Sequence, residues 1–234
     1  EPFQYQRGSR GMRMLIGQNA TGDADLPRNT EGTGLIGDPR NDENTIVSQL
    51  QLFFLRLHDR FAAEVEADTS VPEDDRFFEV QRRVRWHYQW VVAHDYVRRT
   101  VGEKTFADVC DLDKQGRITE IMRRHYEPRK NPYMPVEFSA AAFRFGHSQV
   151  RGIYNLSAQV TDRPIFTSGP LQNDFQDLRG FRPLPQQWTV DWSLFFAINS
   201  APQPSRLVDA KLTQALFDLP DGAGALAFRN LKRG

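Results

Sequence analysis

One short segment combines three residue types that could bind a charged, planar group. In AAFRFGHSQV, Ala141 to Val150, Arg144 and His147 are three residues apart and would share one face of a helix. Gly146 would cost about 1 kcal/mol relative to alanine in a helix interior, but it lets a bulky group approach the backbone. Histidine commonly binds metals and arginine pairs bidentately with carboxylates. One interpretation of the segment is a flat macrocycle bound by His147, with Arg144 on a carboxylate at its edge.

The same residues have an ordinary alternative. A histidine without other context is more often hydrogen-bonded inside a core, and a neighbouring arginine then extends its charged end to water. Gly146 and Arg144 weigh against this alternative without removing it.

A second segment, GDPRNDEN at 37–44, leads into a long amphipathic pattern and carries a charge that is unusual there. Asn41 or Asp42 can cap the helix that follows. Arg40 lies at the amino-terminal end, where a cation opposes the helix dipole by about 0.3–1 kcal/mol. Either Arg40 is a surface residue paired with Asp38 or Asp42, or it is a fixed positive charge directed at a reacting oxygen.

Composition narrows the class of protein. The chain has 234 residues, enough for one large domain or two small ones, and 30 basic residues balance 30 acidic ones. This balance argues against a nucleic-acid-binding protein. The single cysteine, Cys110, cannot form an internal disulfide, and no apolar run approaches the roughly 18 residues of a membrane span. The compartment and the oligomeric state stay open.

Helical periodicity predicts a mainly α fold with long ordered loops and little strand. Two long helices are expected, one from Glu43 and one from Pro72 to about Thr100. A third is expected at 137–151, whereas 1–42 and 155–187 should be largely irregular. Shorter helices are predicted at 103–111, 117–126, 190–196, 207–217 and 224–232. The apolar stripes of the two long helices consist of Val47, Leu50, Phe54, Leu57, Phe61 and Val65, and of Phe77, Val80, Val84, Tyr88 and Val91.

Three sets of motifs, in order along nearly the whole chain, resemble the animal-type haem peroxidase (peroxidase–cyclooxygenase) superfamily, and in particular its bacterial members. DLPRN at 25–29, GDPRNDEN and SQLQLFFLRLHDRF at 48–61 resemble the segment around the family's distal arginine and the helix after it. FRFGH resembles the segment bearing the proximal haem ligand, and LAFRNLKRG at 226–234 the segment whose asparagine supports that ligand. Arg144 stands where the fatty-acid dioxygenase branch has a radical-forming tyrosine, so the resemblance is to the peroxidase branch.

The resemblance implies haem b as cofactor and assigns four residues around it. His147 would be the proximal iron ligand, and Asn230 would accept a hydrogen bond from the other ring nitrogen of that histidine. Such a partner sets the orientation and basicity of a metal ligand. Arg144 and Arg233 would contact the haem propionates.

On the opposite side of the haem, the resemblance makes Arg40 the distal catalytic arginine. Glu43 matches a glutamate that in some members forms an ester to the haem. The next position is Asn44, which excludes the sulfonium link that a methionine forms there in one mammalian member. His58, His87, His94 and His125 are interpreted as structural or surface residues.

The implied activity is reduction of hydrogen peroxide with oxidation of a small-molecule organic donor or a halide. No histidine precedes Arg40, although the family places its distal histidine and a calcium-binding loop upstream of this motif. We therefore expect residues 1–234 to form one domain that is an internal part of a longer haem peroxidase domain, with any calcium site outside this chain. The alternatives are a haem-binding module without turnover and a helical interaction module that has lost haem.

Overall fold

The computed structural model describes residues 2–9, 12–123, 125–167, 169–171, 174–199 and 201–220. The predicted helix at 224–232 and two expected haem-contacting residues, Asn230 and Arg233, lie outside the described residues. In the described part of the chain, no helix is both long enough and apolar enough to span a membrane.

The first long helix, α1, spans Thr45–Ala67. Its amino-terminal cap is Asn44, whose side-chain oxygen accepts a hydrogen bond from the Ile46 amide at 2.9 Å. The expected cap at Asn41 or Asp42 is wrong, because these residues belong to a separate 3₁₀ helix, Pro39–Asp42, that ends before α1 begins.

The buried face of α1 is not the apolar stripe that its periodicity suggests. Val47 and Leu50 are 40% and 38% exposed, whereas Leu52 and Leu55 are almost fully buried. Apolar residues surround most of the helix, so the spacing alone cannot select the face that packs. The other buried residues of α1 are Thr45, Ser48, Gln49, His58, Ala62 and Val65.

The second long helix is confirmed over its predicted length. A 3₁₀ turn at Glu73–Asp75 leads into α2 at Arg76–Trp90, a π-helical turn at Val91–Tyr96 and α3 at Val97–Val101. Its predicted apolar stripe is only partly buried: Val80 is fully buried, but Tyr88 and Val91 are exposed. Gly102 ends the run with a φ of +81°, a conformation that glycine adopts without strain.

The helix predicted at 117–126 is wrong, because that part of the chain forms a β-hairpin. After α4 at Glu103–Ala107, β3 at Cys110–Leu112 pairs antiparallel with β4 at Ile118–Ile121. The Asp113 carboxylate accepts hydrogen bonds from the Gln115 and Arg117 amides and closes the turn.

The predicted helix at 137–151 is interrupted. A π-helical turn at Glu137–Ala142 ends before Arg144, and a 3₁₀ helix follows at Phe145–Gln149. Gly146 therefore lies in a short 3₁₀ helix and not in the middle of a long α-helix. The predicted helices at 190–196 and 207–217 are likewise only single 3₁₀ turns, at Trp192–Leu194 and Gln214–Leu216.

The remaining elements are short, and the predicted irregular character of 1–42 and 155–187 is confirmed. Strands β1 (Gly17–Gln18) and β2 (Ala24–Asp25) pair antiparallel, as do β5 (Ile153–Tyr154) and β6 (Arg163–Pro164). The described part of the chain is mainly α with long irregular connections, as expected. The other short elements are the 3₁₀ turns Pro2–Gln4, Arg7–Ser9 and Gln186–Trp188.

The chain divides into two compact units. One comprises residues 1–6, 14–56 and 135–234, and the other residues 7–13 and 57–134. The first has two buried apolar clusters and the second has one. The clusters of the first unit are Leu156, Val160, Leu178, Leu184, Trp188 and Val190, and Leu26, Leu52 and Leu55; that of the second is Met12, Ala62, Val65 and Val80.

Candidate functional site

The histidine singled out by the sequence is held in a defined tautomer. His147 lies half-buried in the 3₁₀ helix, and its Nδ1 is 2.7 Å from the Arg144 carbonyl oxygen. A carbonyl oxygen can only accept a hydrogen bond, so Nδ1 carries a proton, and in the neutral ring Nε2 then has the free lone pair. Neutral imidazole with a free Nε2, oriented through Nδ1, is the form that binds a metal ion.

Gly146 leaves open space beside this histidine. Its φ is not in the left-handed region. Among the described residues, the nearest atom to a Cβ built there is the Gln149 side-chain oxygen, at 3.9 Å. Neither backbone strain nor packing within the described chain therefore requires glycine at 146. The open space beside Gly146 is consistent with the close approach of a bound group, such as a cofactor, to the backbone.

Arg144 is held at one end and available at the other. Its Nε donates to the Ser139 carbonyl oxygen at 3.0 Å, and its guanidinium carbon lies 5.8 Å from the centre of the Phe143 ring. Within the part of the chain that the structure describes, its two terminal nitrogens donate no hydrogen bond. The arrangement can present a bidentate donor to a carboxylate beside the exposed Phe143 ring.

Arg40 is fixed by its neighbour Asp38. Asp38 caps the 3₁₀ helix by accepting from the Arg40 amide at 3.0 Å, and its carboxylate also accepts from Arg40 Nε at 3.0 Å and Nη2 at 2.5 Å. This hydrogen-bonded arginine lowers the pKa of Asp38 to about 2, and Asp38 in turn raises the pKa of Arg40. Of the two predicted partners Asp38 is the one observed, and the Arg40 side chain is 74% exposed.

Asp42 forms an ion pair with Arg28, a residue that the sequence did not single out. Arg28 donates from Nη1 and Nη2 to the two carboxylate oxygens of Asp42 at 2.6 and 2.7 Å. The side chains are only 8% and 2% exposed. The sole sequence signal for this pair was the polar DLPRN segment, which carries no indication of its partner. Glu43, by contrast, is exposed.

Among the other described histidines, His87 makes the same kind of Nδ1 contact as His147 but is exposed. His58 is buried in α1, where desolvation lowers its pKa despite Asp59 at 3.6 Å. His87 Nδ1 lies 2.8 Å from the Arg83 carbonyl oxygen, and His94 stacks on Trp90.

Comparison with known proteins identifies the family of the chain. The sequence profile for the animal haem peroxidase matches residues 4–234. Thyroid peroxidase of Canis lupus familiaris is 28% identical over 208 residues, covering 86% of this chain and 20% of that protein. Chorion peroxidase of Aedes aegypti is 26% identical over 203 residues, covering 85% of this chain and 24% of that protein.

A solved structure supports the same fold. Peroxidase A from Dictyostelium discoideum superposes with a TM-score of 0.60 over 94% of this chain and 42% of that one, at 20% identity. The chain thus spans about a fifth to a quarter of the length of the two curated relatives and less than half of this structural neighbour. With a family profile matched over nearly its full length, the chain belongs to the animal haem peroxidase family.

Proposed function

We propose that this chain is part of a haem-dependent peroxidase that reduces hydrogen peroxide while oxidising an organic donor or a halide. The observation that carries the proposal is the orientation of His147 through Nδ1, with no hydrogen-bond partner for Nε2 among the described residues and open space beside Gly146. The names of the relatives agree with it, although the chain spans only a part of each of them.

In this function the haem, when bound, supplies the oxidation–reduction chemistry. His147 would ligate the iron through Nε2, and Arg144 would pair with a haem carboxylate. Arg233 would hold the second carboxylate, and Asn230 would accept from His147 Nδ1. This last contact would replace or share the present hydrogen bond to the Arg144 carbonyl oxygen.

Arg40 would hold the negative charge that develops on the departing oxygen of hydrogen peroxide. A fixed donor of this kind is typically worth about 3–4 kcal/mol. Asp38 orients the guanidinium through its hydrogen bond to Nε. We further propose that Glu43, which is exposed, can form an ester to the haem, and that any calcium site belongs to a longer protein.

A small donor has space beside this segment. A cavity of about 350 Å³ is lined in part by Gly37, Asp38 and Asn41, with apolar walls that include Ile36 and Leu55. Such a volume lies at the lower end of the range for ligand pockets.

A haem-binding module without turnover is the second candidate. Residues 1–39 contain no histidine, so these 234 residues by themselves could bind haem without supplying a distal base. A helical module without haem is the third. Haem titration separates the third candidate from the others, and peroxide kinetics separates the first from the second.

Replacement of His147 tests the proposal directly. His147→Ala removes Nε2, so the absorption spectrum of histidine-ligated haem should be lost on titration with haem. His125→Ala is the matched control, since His125 is exposed, and it should titrate like the wild type. A Soret band in His147→Ala indistinguishable from that of the wild type would show that another residue ligates the iron.

A further inference from the structure

We infer that Arg28, with Asp42, is a positioning residue for Arg40, and that the backbone at Leu178–Phe181 completes the clamp. The inference rests on the proposed function in giving Arg40 its catalytic role. Its structural part concerns only described residues of one compact unit. The observations are a buried ion pair, a short backbone ladder and a glycine with no space for a side chain.

The ion pair fixes the carboxyl end of the 3₁₀ helix that carries Arg40. Arg28 and Asp42 make two parallel hydrogen bonds, at 2.6 and 2.7 Å, with both side chains buried. Arg28 Nη1 also donates to the Gly32 carbonyl oxygen at 3.0 Å. A bidentate pair restricts orientation as well as distance, so Asp42 has little freedom to move, and Arg40 lies only two residues before it.

A backbone ladder holds the same segment from a second direction. Phe181 N donates to the Asp42 carbonyl oxygen at 2.8 Å and Gly180 N to that of Glu43 at 2.9 Å. Thr45 N donates to the Leu178 carbonyl oxygen at 2.8 Å. The 3₁₀ helix and the start of α1 are thereby tied to a single short segment.

That segment is itself rigidly supported. Arg179, which is buried, donates from Nε to Asp177 at 2.8 Å and from Nη1 to the Gly169 carbonyl oxygen at 2.8 Å. Arg182 Nη2 donates to the Asp177 carbonyl oxygen at 3.0 Å. Buried charges that are hydrogen-bonded in this way favour one arrangement of the loop, because each broken contact removes a hydrogen bond from a charge that water does not reach.

The fit at the ladder leaves no tolerance for displacement. A Cβ on Gly180 would lie 1.7 Å from the Asp42 carbonyl oxygen, so only glycine permits this approach. The next residue, Phe181, has a φ of +57°, which is strained for a bulky side chain. Strain of this kind persists only where the surroundings impose it, and here the ladder to Asp42 imposes it.

The clamp accounts for how an exposed side chain can act as a fixed charge. The Arg40 side chain is 74% exposed, and within the described part of the chain its guanidinium donates hydrogen bonds only to Asp38. If the charge is to keep one position, the backbone that carries Arg40 must therefore be fixed by neighbouring residues. Arg28 does this through its hydrogen bonds to Asp42.

The test uses haem-free protein first. Asp42→Asn keeps the shape of the side chain but removes its charge, and Arg28→Lys keeps a charge but removes the bidentate geometry. In both variants the amides of Gly180 and Phe181 should exchange hydrogen about tenfold faster or more, because local opening becomes easier. The NMR signal of Arg40 Nε–H should shift or broaden in the same variants.

Two matched controls separate positioning from general loss of stability. Glu103→Gln removes an exposed bidentate pair to Arg98, with the same 2.7 Å contacts, in the other compact unit. Leu52→Ala opens a cavity in an apolar cluster of the compact unit that contains Arg28. Neither should change the Arg40 signal. If Leu52→Ala produces the same changes in amide exchange and in the Arg40 signal as Arg28→Lys, the inference is wrong. It is also wrong if the Gly180 and Phe181 amides of Arg28→Lys and Asp42→Asn exchange within about twofold of the wild-type rate.

The haem-loaded protein then separates this inference from the proposed function. Arg28→Lys should lower the rate of reaction with hydrogen peroxide about tenfold, as misplacement of a fixed donor does, with haem affinity unchanged. If neither variant folds, the wild type still decides: exchange of the Gly180 and Phe181 amides at the rate of an unstructured peptide would exclude the clamp. Failure of the wild type to reduce peroxide, with the clamp intact, would overturn the proposed function alone.

Discussion

At the scale of single residues, the arginine three positions before His147 has a role that can be measured. Arg144→Gln removes a charged donor, and loss of a hydrogen bond between charged groups costs about 1.5–3 kcal/mol. Haem affinity should fall accordingly, while the spectrum of the bound haem should still show ligation by His147. Arg144→Lys retains the charge without the bidentate donor geometry, so its haem affinity should lie between those of Arg144→Gln and the wild type. Equal haem affinity in Arg144→Gln and wild type would exclude the carboxylate contact.

The pair of Asp38 and Arg40 predicts a specific acid titration. The pKa of folded Asp38 is about 2, below its ordinary value of 3.8. The stabilisation from the pair is therefore complete above pH 3.8 and is lost as the pH falls towards 2. In Arg40→Gln the pKa of Asp38, followed at its carboxyl carbon by NMR, should rise towards its ordinary value, although the amide of residue 40 still donates to the carboxylate. A midpoint that stays near 2 in that variant would mean that Arg40 is not the cause.

At the scale of elements, the contribution of the Asn44 cap to the stability of α1 can be measured. Asn44→Ala removes the acceptor of the Ile46 amide and should destabilise the protein by about 0.5–2 kcal/mol. Asn44→Asp keeps an acceptor at the positive end of the helix and should restore most of that loss. Chemical denaturation of the three proteins provides the comparison. Full stability of Asn44→Ala would indicate that the cap does not contribute.

At the scale of the whole molecule, the missing histidine predicts a slow reaction. Arg40 stays protonated at working pH and cannot act as a base, and residues 1–39 contain no histidine. The haem-loaded 234-residue chain should therefore react with hydrogen peroxide about 10²-fold more slowly than an enzyme with a positioned base.

The measurement is stopped-flow oxidation of the haem by peroxide at fixed pH and ionic strength. A basic buffer component should accelerate the reaction in proportion to its concentration, since it replaces the base from solution. Arg40→Ala should slow it further by about 10²–10³. A fast reaction independent of buffer concentration would redirect the search for the base to other histidines of the chain, among them His87 and His94.

Sequence reasoning located the features that depend on near neighbours. The two long helices and the mainly α class follow from periodicity within a few residues. The pairing of Arg40 with Asp38 was one of two predicted alternatives, because the two residues are adjacent in a turn. The grouping of Arg144, Gly146 and His147 also came from spacing, although the continuous helix expected there is broken at Arg144.

By itself, then, the sequence predicted which residues would carry metal-binding and charge-stabilising chemistry, and it located the two long helices. Only the tertiary structure decided how the Arg40 segment is held. Arg28 and Asp42 are 14 residues apart in the chain, and Gly180 meets Asp42 from a still more distant segment. The physical reason is that local hydrogen bonds and periodicity are set within about four residues, whereas a buried ion pair depends on which distant charges exclude water together.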